Sequence, residues 1–243
     1  MLTIHDLHIL RGEGADAHHV FLPQLILRPG EVLAITGESG CGKSTLLEAI
    51  GLLLPPHQLK AFSLQKDEHT LDLAQLLREQ QHQQLAHVRA SQLGFVLQNG
   101  GLLPYLSVLD NIRLPSQLAG KEPDSALFVR ITQALKLESL LQKMPAQLSI
   151  GERQRTAFAR AIVHRPCLLL ADEPTAALDP ENAESMFTLF LQLVKEEGMM
   201  ALVVCHDRHL VEAFQLPCLR AHFQSEGAGL SPLFTDRGSY FVR

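Results

Sequence analysis

Residues 37–45 read Gly37-Glu38-Ser39-Gly40-Cys41-Gly42-Lys43-Ser44-Thr45, and this stretch decides the class of the chain. The spacing from Gly37 to Gly42, Lys43 and Ser44 matches a complete phosphate loop, G-x-x-x-x-G-K-[ST]. Before it, Glu31–Thr36 is apolar and β-prone. After it, Thr45–Ile50 reads as a helix. A strand, a glycine-rich turn and a helix are the context that the motif needs. Glycines let backbone N–H groups turn around phosphate oxygens with no Cβ in the way. The helix N-terminus adds partial positive charge. The whole run Gly37–Thr45 is therefore the expected phosphate cradle. Lys43 reaches the outer phosphates, and the Ser44 hydroxyl is placed to ligate Mg²⁺.

Working outward, Leu168–Glu173 is an apolar run that ends in two acids. Acids at the carboxyl end of a parallel strand lie where such sheets bind ligands. Asp172 suits a metal-holding role. Glu173, one residue on, points elsewhere and suits polarisation of an attacking water. Gln98 ends the run Leu93–Leu97, where its amide can contact Mg²⁺ or water. His206 ends the run Ala201–Cys205, where a ring N–H can reach a γ-phosphate. Leu148-Ser-Ile-Gly-Glu-Arg-Gln-Arg155 opens a helix with an S-x-x-E capping box, Ser149 to Glu152. The Gly151 backbone at that helix start is a second candidate phosphate contact.

Short apolar runs at Val32–Thr36, Leu93–Leu97, Cys167–Ala171 and Ala201–Val204 alternate with helical patterns. That pattern predicts an α/β fold with a mostly parallel, buried sheet. Leu2–Leu10 and Val20–Leu27 alternate and predict an antiparallel edge. Residues 78–89 are polar and helix-prone, which predicts a solvated helix face. Between Lys43 and Asp172 lies far more chain than one crossover needs. Asn99–Gln147 is helical in character, with Pro104, Pro115, Pro123 and Pro145, and with helices expected at Asp124–Leu137 and Glu138–Lys143. The expected organisation is a single ATPase-type domain over 1–243. Its nucleotide-binding core is 1–98 and 148–243, and 99–147 is an inserted helical subdomain.

The formal charge of −5 and the pI near 6.2 leave no basic footprint for nucleic acid, and none is expected as a partner. The N-terminus shows no signal peptide, and no apolar run reaches the length of a membrane span. The four cysteines, Cys41, Cys167, Cys205 and Cys218, have no paired spacing and are expected as reduced thiols of the cytosol.

Taken in order, Gly37–Thr45, Gln98, Leu148–Arg155, Leu168–Glu173, Ala177–Asp179 and His206 resemble the Walker A, Q-loop, signature, Walker B, D-loop and switch histidine of an ABC-transporter ATPase subunit. Glu152 with Gln154 and Arg155, and the stretch Gly101–Ile112, are similar to the lipoprotein-release, macrolide-export and cell-division subgroup. The resemblance implies an ATP hydrolase using Mg²⁺, with Glu173, His206, Gln98 and Lys43 as catalytic residues. It implies Ser44, Gln98 and Asp172 at the metal, and Ser149, Gly151 and Glu152 at the nucleotide of a second chain. It further implies a nucleotide-bound homodimer, docked through an integral-membrane permease subunit to the cytoplasmic face of the inner membrane. The other reading is a soluble ABC-type ATPase acting on a cytosolic assembly. Two positions depart from the family. Ile150 replaces the first signature glycine, and around Leu10–His19, ahead of β-strand Glu31–Thr36, no aromatic ring other than His18 and His19 stands where the family stacks one on adenine. The base contact falls to His18 or His19, or else to an apolar side chain such as Leu10 or Phe21.

Overall fold

The computed structural model describes residues 1–12, 18–122, 124–226 and 229–236. Strands β1 (Leu2–Arg11) and β2 (His18–Leu27) pair antiparallel, with Leu2 opposite Leu27 and Arg11 opposite His18. β3 (Val32–Thr36) leads into α1 (Lys43–Ile50), as the motif requires. There follow β4 (Gln58–Lys66), β5 (His69–Asp72), α2 (Leu73–Arg78), α3 (His82–Gln92) and β6 (Leu93–Val96). Residues 99–147 hold α4 (Val108–Leu118), α5 (Ser125–Ala134) and short 3-10 turns at Glu138–Leu140 and Pro145–Gln147. The chain then runs through α6 (Ile150–Ile162), β7 (Leu168–Asp172), α7 (Pro180–Glu196), β8 (Met200–Val204), α8 (Arg208–Ala213), β9 (Cys218–Glu226) and β10 (Gly229–Asp236).

Among the described residues one sheet runs β5-β4-β1-β2-β10-β9-β3-β8-β7-β6. β3, β8, β7 and β6 are parallel neighbours, and β9 runs parallel along the other side of β3. The reason is legible in β7 and β8. Leu168 and Leu170, with Met200, Leu202 and Val204, pack toward α1 and the β1–β2–β4 side. Leu169 and Ala171, with Ala201 and Val203, pack toward α6 and α7. Both faces are covered, so the sequence shows continuous apolar runs rather than alternation.

The antiparallel part behaves differently. Up to Ile4, even positions of β1 are buried; from Leu7 the odd positions are. The switch falls at Asp6, whose φ is 48°. From there Leu7, Ile9 and Arg11 share the face turned to α1, while His8 and Leu10 share the other.

Several expectations change in detail. β4 and β5 have no counterpart among the strands expected from the sequence. β4 buries Phe62 and Leu64 on one face only, and β5 is exposed throughout, so neither carries a strong apolar pattern. The polar stretch 78–89 is not one helix. Gln80 takes a φ of 51° between α2 and α3, and Leu85 and Val88 are buried rather than solvated. The helix expected over Asp124–Leu137 starts after Asp124, whose carboxylate accepts from the N–H groups of Ala126 and Leu127. It ends before Lys136, at φ 53°. Glu138–Lys143 shortens to a 3-10 turn over Glu138–Leu140. Pro115 lies inside α4. Pro123 lies outside the described residues.

Helix α6 begins as expected. Ser149 Oγ accepts from Glu152 N–H at 3.3 Å, and a Glu152 carboxylate oxygen accepts from Ser149 N–H at 2.7 Å. The bond from the Ser149 backbone, and then that with its side chain, hold Glu152 below the ordinary carboxyl value. A carboxyl depressed by folding stabilises the fold at pH above its unfolded value, and that contribution is lost as pH falls below it. Glu152→Gln keeps an accepting oxygen at the same position without the charge. Wild type should therefore lose stability relative to Glu152→Gln as pH drops below about 4.3, measured by urea unfolding from neutral pH downward. A difference that does not change with pH would remove the ionised cap. Ser149→Ala should cost roughly 0.5–2 kcal/mol.

Candidate active site

The phosphate loop connects β3 to α1. Gly42 is the residue before α1 and has a φ of 83°, a left-handed conformation open to glycine at little cost. A Cβ on Gly37 would lie 2.8 Å from the Cβ of Ala221 on β9, so glycine is required there by close approach. Glu38, Ser39, Gly40 and Ser44 are exposed, Cys41 and Thr45 are buried, and Lys43 is 5% exposed. Lys43 Nζ donates to the carbonyl oxygens of Gly37 at 3.0 Å and Glu38 at 2.7 Å. Its charge is thus held across the mouth of the loop by the carbonyls of the loop's first turn.

Three neighbouring parallel strands bring the other candidates together. Gln98 follows β6, Asp172 ends β7 with Glu173 next, and His206 follows β8. Glu173 has a φ of 48°, and its N–H donates to Val204 O at 3.1 Å. This sparsely populated backbone conformation turns its side chain away from that of Asp172. Both Glu173 oxygens then meet a partner: Gln98 Nε2 donates to Oε2 at 3.2 Å, and His206 Nε2 lies 2.9 Å from Oε1. Asp172 Oδ1 is buried and has no hydrogen-bond partner among the described residues. His206 and Glu173 line a cleft of 370 Å³ with Thr175 and Asp207, and His206 also lines one of 320 Å³ beside Gly37 and Glu38.

The signature stretch is not brought to this loop. Among the described residues no hydrogen bond or ion pair joins Leu148–Arg155 to Gly37–Thr45. Gln154, 2% exposed, instead donates to Gln98 O at 2.6 Å. Ile150 is the first residue of α6, is 49% exposed, and has no positive φ, so the backbone does not call for glycine there.

Sequence reading missed three residues that shape the site. Arg160, on α6, donates to Gly101 O at 2.7 Å and Gly100 O at 2.9 Å. Burial lowers its pKa from the usual guanidinium value. Asn111, fully buried on α4, accepts from Leu103 N–H at 2.8 Å and donates toward the carbonyls of Leu103, Leu106 and Ser107. Together they fix the segment after Gln98. The signals were faint: one arginine on the apolar side of a helix, and one asparagine among apolar neighbours. The third is Arg11. Its Nη1 lies 3.3 Å from Thr45 Oγ1 and 3.1 Å from a Glu48 oxygen, so the end of β1 is tied to α1. Of the residues considered for a base contact, only His18 shares that face, because it pairs with Arg11. His19, Leu10 and Phe21 belong to the opposite face, where Phe21 stacks on His8 with ring centroids 4.1 Å apart. Residues 13–17, between these strands, lie outside the described residues.

An acid held by two strand-end neighbours beside a phosphate loop places the chain among phosphate-loop nucleotide hydrolases. Comparison with known proteins narrows the class. The ABC transporter family profile matches residues 23–176, and the chain belongs to that family. It is 44% identical over 195 residues to the lipoprotein-releasing system ATP-binding protein LolD of Idiomarina loihiensis, spanning 78% of this chain and 80% of the relative. It is 40% identical over 205 residues to LolD of Zymomonas mobilis, spanning 84% and 80%. The dimeric ATP-binding cassette MJ0796, solved with ADP and Pi, superposes with a TM-score of 0.73 at 29% identity, over 90% of this chain and 94% of that one. The protein is thus an ABC-type ATPase, an ATP-binding and ATP-hydrolysing transporter subunit.

Loss of the Arg160 clasp leaves two partly buried carbonyls without that donor, each costing at most about 1–3 kcal/mol. Arg160→Ala should therefore destabilise the fold and speed amide exchange around residues 98–103 more than elsewhere. Uniform exchange across the chain would show that Arg160 does not hold this segment.

Proposed function

We propose that this ATPase powers a membrane complex of the lipoprotein-release type, working as a nucleotide-bound homodimer with a separate integral-membrane permease subunit. The observation that carries most weight is the contact of Gln98 and His206 with the two oxygens of Glu173, beside an unpartnered Asp172 oxygen. In this reading Glu173 takes the proton of the attacking water as its oxygen adds to the γ-phosphorus and the bond to the β-phosphate bridge breaks. Lys43 and the N–H groups of Gly37–Thr45 meet the phosphates. A ring N–H of His206 faces the γ-phosphate, and Gln98 links the site to residues 99–147.

Asp172 Oδ1 and the exposed Ser44 hydroxyl are hard oxygen donors and fit Mg²⁺. Gln98 donates through Nε2 to Glu173, which leaves its amide oxygen for the same ion. Mg²⁺ bound there would draw charge from the β- and γ-phosphate oxygens.

The dimer reading rests on the signature. A Cβ on Gly151 would meet Arg155 and Leu178 only at 3.7 Å, an ordinary contact, so nothing within the chain requires glycine. Gly151, presented by the capped turn of Ser149 and Glu152, is then best explained by a ligand held from outside, the nucleotide on a second chain. The MJ0796 cassette, dimeric in its ADP- and Pi-bound structure, supports the same arrangement.

The membrane reading rests on the lipoprotein-releasing relatives and on the surface beyond Gln98. No helix among the described residues is long and apolar enough to cross a membrane. Leu97, Tyr105 and Leu118 are exposed large apolar residues. They suit a partner's coupling helix docked over Gln98–Leu114. That places the protein on the cytoplasmic face of the inner membrane through its partner. Residues 99–147 then act as a helical subdomain inserted in a core of 1–98 and 148–243.

Glu173→Gln should cut turnover roughly 10²–10⁴-fold while ATP still binds, and Lys43→Ala should weaken binding itself. Undiminished turnover by Glu173→Gln would overturn its role as base. With ATP and Mg²⁺, Glu173→Gln in complex with its permease should keep two ATPase chains closed together, and ADP should release them. Gly151→Ala should leave thermal stability within about 0.5 kcal/mol of wild type and lower ATP hydrolysis. Full activity would remove Gly151 from the nucleotide.

A further inference from the structure

The sheet order fixes which way the nucleotide lies. Gln98, Glu173 and His206 come from β6, β7 and β8, all on one flank of β3. The phosphate that reacts belongs on that flank. The nucleoside therefore leaves the loop along α1 toward the opposite flank, where the β1–β2 ladder ends. On the α1-facing side of that ladder end stand Arg11 and His18, paired in register. Arg11 is tethered through one terminal nitrogen, to Thr45 on α1 and to Glu48 one turn further on. Its side chain is 56% exposed.

We propose that Arg11 is the base-contacting residue of this ATPase. Its guanidinium, held by Thr45 and Glu48, presents a flat face on which the nucleotide base stacks, with His18 beside it. The inference rests on the ATP-binding reading and names the residue that supplies its base contact. A guanidinium is planar, weakly hydrated and stacks on aromatic faces. Glu48 already neutralises much of its charge, which suits a stacking plate better than a phosphate ligand. A stacked face reads no base edges, so purines are bound with little discrimination. The contact is worth about tenfold in affinity.

The test is equilibrium binding of ATP, GTP and inorganic tripolyphosphate, all with Mg²⁺, to the full chain. Arg11→Ala should weaken ATP and GTP alike by about tenfold and leave tripolyphosphate unchanged. Arg11→Tyr, flat but uncharged, should restore both nucleotides. An equal loss for tripolyphosphate would make Arg11 a phosphate contact and overturn the inference. So would ATP binding untouched by Arg11→Ala, or a strong ATP preference over GTP in the wild type. Absence of ATP and tripolyphosphate binding in the wild type would instead overturn the nucleotide reading itself, and this inference with it.

Discussion

The parallel strands β3, β8, β7 and β6 must bury both of their faces. Leu168, Leu170, Met200 and Leu202 fill one side, and Leu169, Ala171, Ala201 and Val203 fill the other. A strand buried on both sides has no room for a charged side chain along its length, since an unpaired charge in such a core is very costly. Polar chemistry is thereby expelled to the strand ends. Parallel direction puts those ends on one edge of the sheet. That is why Lys43, Gln98, Asp172, Glu173 and His206, far apart in the chain, become neighbours. The site is a consequence of how the core packs.

The same edge is mechanically tied to residues 99–147. Gln154 holds the carbonyl of Gln98, and Arg160 holds those of Gly100 and Gly101. All three bonds come from α6, whose first turn carries the signature. Asn111 then sets the turn that leads into α4. At the far end, Arg165 meets Asp124 at 2.9 Å, and Arg130 pairs with Glu197 at the end of α7. The Leu127 N–H, ahead of the flanking arginines, lowers the Asp124 pKa from its ordinary value. A displacement of the helices in 99–147 would thus be felt at Gln98 and, through its bond, at Glu173. Few hydrogen bonds separate residues 99–147 from Glu173.

The departures from the family lie outside the buried core. Ile150 begins α6 without backbone strain and leaves the cap intact. Arg11 ends a strand whose inward neighbours, Leu7 and Ile9, are fully buried. Neither position disturbs packing.

By itself the sequence determined the phosphate loop, the strand-end acids, the capped signature helix and the two-sided burial of the parallel strands. Each is a local pattern, set by residue spacing over a few turns or one strand. It did not determine β4 and β5, whose apolar pattern is too weak, or the break at Gln80, where a single left-handed residue ends a helix-prone run. Nor did it say which of His18, His19, Leu10 and Phe21 shares the α1-facing side of the ladder with Arg11. Only the tertiary structure decided that. Which face of β1 and β2 looks toward α1 depends on the face switch at Asp6 and on the register of Arg11 with His18. Side-chain direction reverses with every residue of a strand, so one local reversal changes which residues face α1.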